Sequence, residues 1–95
     1  MSQDLHFAYR NLARKVLTQN PMFVIGQLSP NDFDHVTDIG ASVMKTRDGI
    51  QNGGSFVQSI VDNDLHQALN RADATCIRAL KYFSYLYNYS RINQD

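Results

Sequence analysis

The sequence predicts an all-α protein of three helices. The second and third form an antiparallel hairpin with a long C-terminal helix, and the first packs across them. Three observations carry this. Residues 55–91 contain no proline and no glycine. Within them Leu65, Leu69, Ala72, Cys76, Ala79, Phe83 and Leu86 follow at steps of four and three, the spacing of one helical face. Upstream, turn formers gather at Asn20–Pro21, Ser29–Pro30 and Asp48–Gly54, dividing the remaining chain into two helical stretches.

With 95 residues the chain makes one domain, and 43% hydrophobic content gives it enough to bury. The formal net charge is zero, which argues against a general nucleic-acid binder, since those need surplus Lys and Arg to displace counterions. All nine acidic residues are Asp. Asp is a poor helix former that favours first turns and loops, so many of these residues should mark helix starts. The single cysteine, Cys76, permits no intrachain disulfide and fits a reducing compartment. No basic and apolar leader opens the chain and no apolar run is long enough to span a bilayer, so the expectation is a soluble cytoplasmic protein.

In the first helix Ser2 can cap and Asp4 sits in the first turn, favourably for the helix dipole. Leu5, Ala8, Tyr9, Leu12, Ala13 and Val16 form its apolar stripe. It should stop between Thr18 and Asn20, because Pro21 disfavours a helical conformation at the residue before it. Met22–Ile25 reads as an apolar connector under the long helix, ended by Gly26. Ser29-Pro30-Asn31-Asp32 then places a cap, a first-position proline and a capping-box carboxylate in register. The second helix presents Phe33, Val36, Gly40, Val43 and Met44 on one face and runs to about Arg47. Gly40 costs roughly 1 kcal/mol of helix propensity against Ala, a cost that close approach of another helix would offset.

Asp48–Gly54 is a break, and Ser55 can cap the third helix. At 1.5 Å per residue that helix would be roughly 50 Å long, which implies a partner and hence a homo-oligomer. Ala72, Cys76 and Ala79 leave room there for a neighbouring helix. Asp62-Asn63-Asp64 could cap a fresh start, so a kink or break near Asn63 is the alternative.

One flank of the third helix carries Arg71, Thr75, Arg78, Tyr82, Tyr85 and Tyr89, with Lys81 beside them. Arg forks onto phosphate oxygens and Tyr stacks on a base, so this flank suits an aromatic ligand bearing phosphate. The same residues would serve as half-buried packing at a subunit interface. Arg10 and Arg14 on the first helix are possible contributors. The ligand-binding set is therefore Arg71, Arg78, Lys81, Tyr82, Tyr85, Arg10 and Arg14.

Gly49–Gly54 could offer amides to an anion, yet no Lys-Ser or Lys-Thr follows as in a P-loop, and a tight interhelical turn needs the same glycines. His35 lies one turn from Asp32 and from Asp38, and Asp62 one turn from His66. There is no HExxH and no second cysteine, so no metal or cofactor is expected. Cys76 falls on the core face as a small hydrophobe, no nucleophile–base spacing can be assembled, and an enzyme is not expected.

A short helix, a second helix and a long third one across most of the chain resemble small phage-encoded helical proteins. Within that group the layout is similar to the anti-CBASS sponges, oligomeric proteins that sequester cyclic oligonucleotide signals. The resemblance implies a non-catalytic counter-defence binder of an anionic cyclic nucleotide at subunit interfaces, working in the host cell cytoplasm. It carries no aligned motif, so it assigns no site residue; the string DNDLHQALNRADATCIRAL is distinctive without a function attached. Small phage inhibitors of CRISPR machinery share the size class. An inhibitor of a host defence or nucleic-acid-binding complex is the alternative, favoured by Asp32, Asp34, Asp38, Asp48, Asp62 and Asp64 as a DNA-like acidic surface. A helical oligomer without ligand is the third reading.

Overall fold

Pro21 and the Ser29–Pro30 pair bound the first two helices where the sequence places them. The structure, a computed structural model, describes residues 2–89. Helix α1 spans Ser2–Gln19, a 3-10 turn follows at Pro21–Phe23, and α2 spans Pro30–Arg47. The Ser29 hydroxyl accepts from the Asp32 amide at 3.1 Å, the expected cap. The expected side-chain contribution of Ser2 and Asp4 and the expected helix end at Arg91 lie outside what is described. Among the described residues all regular structure is helical, and no helix is long and apolar enough to cross a membrane.

The single long third helix is not formed, and among the described residues six helices replace the predicted three. Residues 55–87 divide into α3 Ser55–Val61, α4 Leu65–Arg71, α5 Ala74–Arg78 and α6 Leu80–Tyr87. The first break falls at Asn63, the flagged position. Asn63 takes φ 59°, its amide donates to Ile60 O at 3.1 Å, and the Asp64 amide donates to Ser59 O at 2.9 Å. This is a Schellman stop with Asn in the left-handed position, a role Asn tolerates better than other residues bearing a Cβ. Asp64 then caps α4 through the Gln67 amide, and Asp73 caps α5 through the Cys76 amide at 2.7 Å. Aspartates do mark helix starts, and two of them interrupt the stripe.

The molecule measures 34 × 26 × 20 Å, so the surplus length that implied a second copy is absent. Leu65 and Leu69 of the predicted stripe are exposed, while Cys76, Ala79, Phe83 and Leu86 are buried within the same chain. Helix α2 lies at the centre, packed on α1, α3, α5 and α6. It ends in a second Schellman stop: Gly49 takes φ 78°, and Ile50 N donates to Lys45 O at 2.8 Å. Gly54, not Ser55, occupies the cap position of α3, and no side chain bonds the first turn there.

Gly40 confirms close approach. A Cβ at this position would lie 2.6 Å from Leu86 Cδ1 and 2.8 Å from the Tyr82 hydroxyl oxygen, both on α6. Leu86 can yield, whereas the Tyr82 hydroxyl is held by a bond of 2.8 Å to Ala13 O. Gly40→Ala should therefore destabilise by about 1–3 kcal/mol through overpacking, reduced by the roughly 1 kcal/mol gained in helix propensity. Urea unfolding measures the balance. A raised midpoint would show that α6 gives way freely.

Candidate functional site

Helix α6 divides its aromatic residues between two faces. Tyr82, Phe83 and Leu86 are fully buried. Lys81 and Tyr85, one turn apart, share an exposed face, and Tyr89 follows two residues past the helix end. The 3-10 turn lies against it: the Phe23 ring sits 4.8 Å from the Tyr85 ring, and Tyr85 sits 5.7 Å from Tyr89. Lys81 Nζ stands 5.7 Å from the Phe23 centroid, within cation–π reach. Tyr85 is 40% exposed and Tyr89 37%. Next to this strip the Ile25 amide donates to Arg78 O at 2.9 Å, and Arg78 Nη1 donates to Ile25 O at 2.9 Å and Gln27 O at 3.3 Å. The connector is thus stitched to the α5–α6 junction. Val24 alone of it is buried, and Met22 and Ile25 face outward.

Of the seven predicted ligand residues, Arg78, Lys81 and Tyr85 flank this strip. The others do not converge on it. Arg71 Nη1 donates to Ser59 Oγ at 2.9 Å and to Ser55 O at 3.3 Å, bracing α4 against α3. Arg14 pairs with Asp34 at 2.9 Å and lies 5.1 Å from the Phe33 centroid, while Arg10 meets Asp38 at 3.6 Å. Both arginines thus face the acidic flank of α2. Tyr82 is in the core, its phenol pKa pushed up by burial, and no base reaches it there. Phe23, which completes the strip, carried no periodic signal in so short a connector.

The acidic surface also differs from the predicted set. Asp34 and Asp38 are paired, and the Asp48 side chain is only 1% exposed, in an ion pair with Arg47 at 2.7 Å. Asp62 and Asp64 remain exposed on the α3–α4 turn.

A second cluster unites residues far apart in sequence. His35 Nε2 lies 2.8 Å from Asp73 Oδ2 and 3.8 Å from Cys76 Sγ. The predicted neighbours of His35 were Asp32 and Asp38 on its own helix; the partners found come from the start of α5. As a nucleophilic device the cluster is poorly built. Thiol and carboxylate address the same ring nitrogen, whereas a triad uses both nitrogens. Cys76 is buried, and burial first, then the Asp73 carboxylate, pushes its thiol up to about 12. The Asp73 carboxyl itself is held low, mainly by the Cys76 amide and, more weakly, by His35.

Two grooves mark the described surface. One of about 370 Å³ runs between the α3–α4 turn and α6, lined by Ile60, Asn63, Asp64, Leu65, Leu80 and Tyr87 among others. The other, about 390 Å³, is lined by Leu17, Pro21, Val24, Leu28 and Phe33 with their neighbours. Neither is lined by a Lys or Arg, so neither suits an anion. No family model, curated protein or solved structure matches the chain.

Proposed function

We propose that this chain is a non-catalytic binding protein that captures an anionic nucleotide, in the manner of a phage-type counter-defence sponge. The observation that supports it is the Phe23–Tyr85–Tyr89 strip with Lys81 over its edge and Arg78 at its end. A base stacks on Tyr85, and a phosphate is met by the Lys81 ammonium and by the Arg78 guanidinium edge not turned to the connector. The half-exposed rings leave area that a second copy would cover, so capture between subunits is part of the proposal. The reading stands on the strip rather than on helix layout, because the long third helix behind the sponge resemblance is four short ones.

Calorimetric titration with a panel of cyclic di- and trinucleotides tests it. Stacking contributes about 1–3 kcal/mol per base, so Tyr85→Ala should weaken binding roughly tenfold while the urea midpoint stays close to that of the parent. Arg78→Ala should weaken it as well, and it should also loosen the connector by removing both carbonyl contacts. Light scattering on the same samples reports whether ligand changes the oligomer. Binding that is indifferent to Tyr85→Ala would sink the strip as the site.

A protein-inhibitor reading draws on a different observation. Leu65 and Leu69 stand exposed one turn apart on α4, beside Asp62 and Asp64. Apolar anchors rimmed by acid are the makings of a surface for a basic protein.

A further inference from the structure

We propose that His35 Nε2, Asp73 Oδ2 and Cys76 Sγ form a binding site for a borderline-soft divalent cation, Zn²⁺ above others, that clamps α2 to the start of α5. The three donor atoms all lie within 4.8 Å of one another and come from two elements of the fold. An imidazole, a carboxylate and a thiol together favour Zn²⁺, while Mg²⁺ and Ca²⁺ take oxygen alone.

Two separations are near what the ion requires, and the third, Asp73 oxygen to Cys76 sulfur within 4.8 Å, closes as the ion draws both donors in. With Zn–N, Zn–O and Zn–S bonds of about 2.0–2.3 Å, a tetrahedral site sets N···S near 3.6 Å and N···O near 3.4 Å. The thiol–imidazole separation of 3.8 Å already fits. The His35–Asp73 separation of 2.8 Å is a hydrogen bond and opens by roughly half an ångström to admit the ion. Asp73 is pre-aimed, because its other oxygen accepts the Cys76 amide at 2.7 Å and so fixes the carboxylate. His35 and Asp73 are 44% and 56% exposed, which leaves solvent to supply the fourth ligand.

Proton balance follows from the ligands. Cys76 binds as thiolate and releases one proton. The neutral His35 ring, whose Nε2–H donates to Asp73 when no ion is bound, moves that proton to Nδ1 so that the Nε2 lone pair meets the metal, and Asp73 binds as the carboxylate. The field of the cation draws the thiol proton off despite the burial that otherwise retains it. This site shares no residue with the aromatic strip, so neither proposal depends on the other.

The test uses the full chain, stripped with chelator and titrated with Zn²⁺ by calorimetry in buffers of different ionisation enthalpy. One ion per chain is expected, with about one proton released and a raised melting temperature. Co²⁺ should give a thiolate-to-metal charge-transfer band. His35→Ala removes a half-exposed ligand without touching the core, and should weaken Zn²⁺ by more than about tenfold and abolish the thermal shift. Asp73→Asn retains an equally good helix cap and should weaken it likewise. Absent heat and thermal shift with excess Zn²⁺, unchanged affinity in His35→Ala, or a Co²⁺ spectrum lacking the thiolate band would each overturn the site.

Discussion

Asp48→Ala should lower stability by about 3–5 kcal/mol, more than a substitution at any exposed aspartate of this chain. The Asp48 carboxylate takes a two-pronged grip on Arg47, Nε at 2.7 Å and Nη2 at 3.0 Å, and also accepts the Tyr9 hydroxyl at 2.6 Å. Arg47 Nη1 in turn donates to Leu86 O, Tyr87 O and Tyr89 O, closing the C-terminal end of α6. With the Arg47 side chain 7% exposed, the loss comes mainly from a guanidinium left buried without its counter-charge. The pair itself need contribute little net energy. Asp48→Asn keeps an acceptor for Tyr9 and should lose less. Urea unfolding of both variants decides the matter, and a loss below ~1 kcal/mol for Asp48→Ala would mean that water reaches the pair.

Tyr82→Ala should be comparably damaging, at about 3–5 kcal/mol, because it empties a fully buried ring site between α1, α2 and α6. Tyr82→Phe separates the hydroxyl from the ring. It removes only the bond to Ala13 O and should cost ~0.5–1.5 kcal/mol. The two variants also distinguish core from ligand surface: Tyr82→Phe should leave nucleotide affinity unchanged, while Tyr85→Ala should lower it. A nucleotide affinity that falls with Tyr82→Phe at constant stability would contradict burial of this ring.

Helices α1 and α2 were legible in the sequence because their ends are written in backbone chemistry. Proline just past a boundary, Ser-Pro at a start and Asp-Gly at a stop each restrict φ and ψ locally. The second half was misread because its breaks preserve the period. Leu65, Leu69, Ala72, Cys76, Ala79, Phe83 and Leu86 keep steps of three and four across the interruptions at Asp73 and Ala79, so the period runs on where the helix does not, and at Leu65 and Leu69 where burial does not either. Asp62-Asn63-Asp64 did signal its break; Ala72–Asp73, with a single capping residue, did not stand out. The candidate sites divide in the same way. Lys81 and Tyr85 were readable as neighbours on one helix, whereas Phe23 joins them from the 3-10 turn and His35 meets Asp73 38 residues away. Contacts that span the chain leave no mark on local spacing.

The serial shortness of α3 to α6 bears on how the molecule comes into being. They contain 7, 7, 5 and 8 residues, against the 12–15 or so at which an isolated helix begins to hold in water. Helicity beyond Ser55 is therefore conditional on docking. On a ribosome α1 and α2 emerge before them, with the α2 face that packs on α3 and α6 still uncovered, and the residues that cover it follow without structure of their own. Acquisition of the fold becomes one cooperative event once 55–87 has emerged, rather than the stacking of finished rods. Until that event, the nascent chain is a substrate for chaperones and proteases.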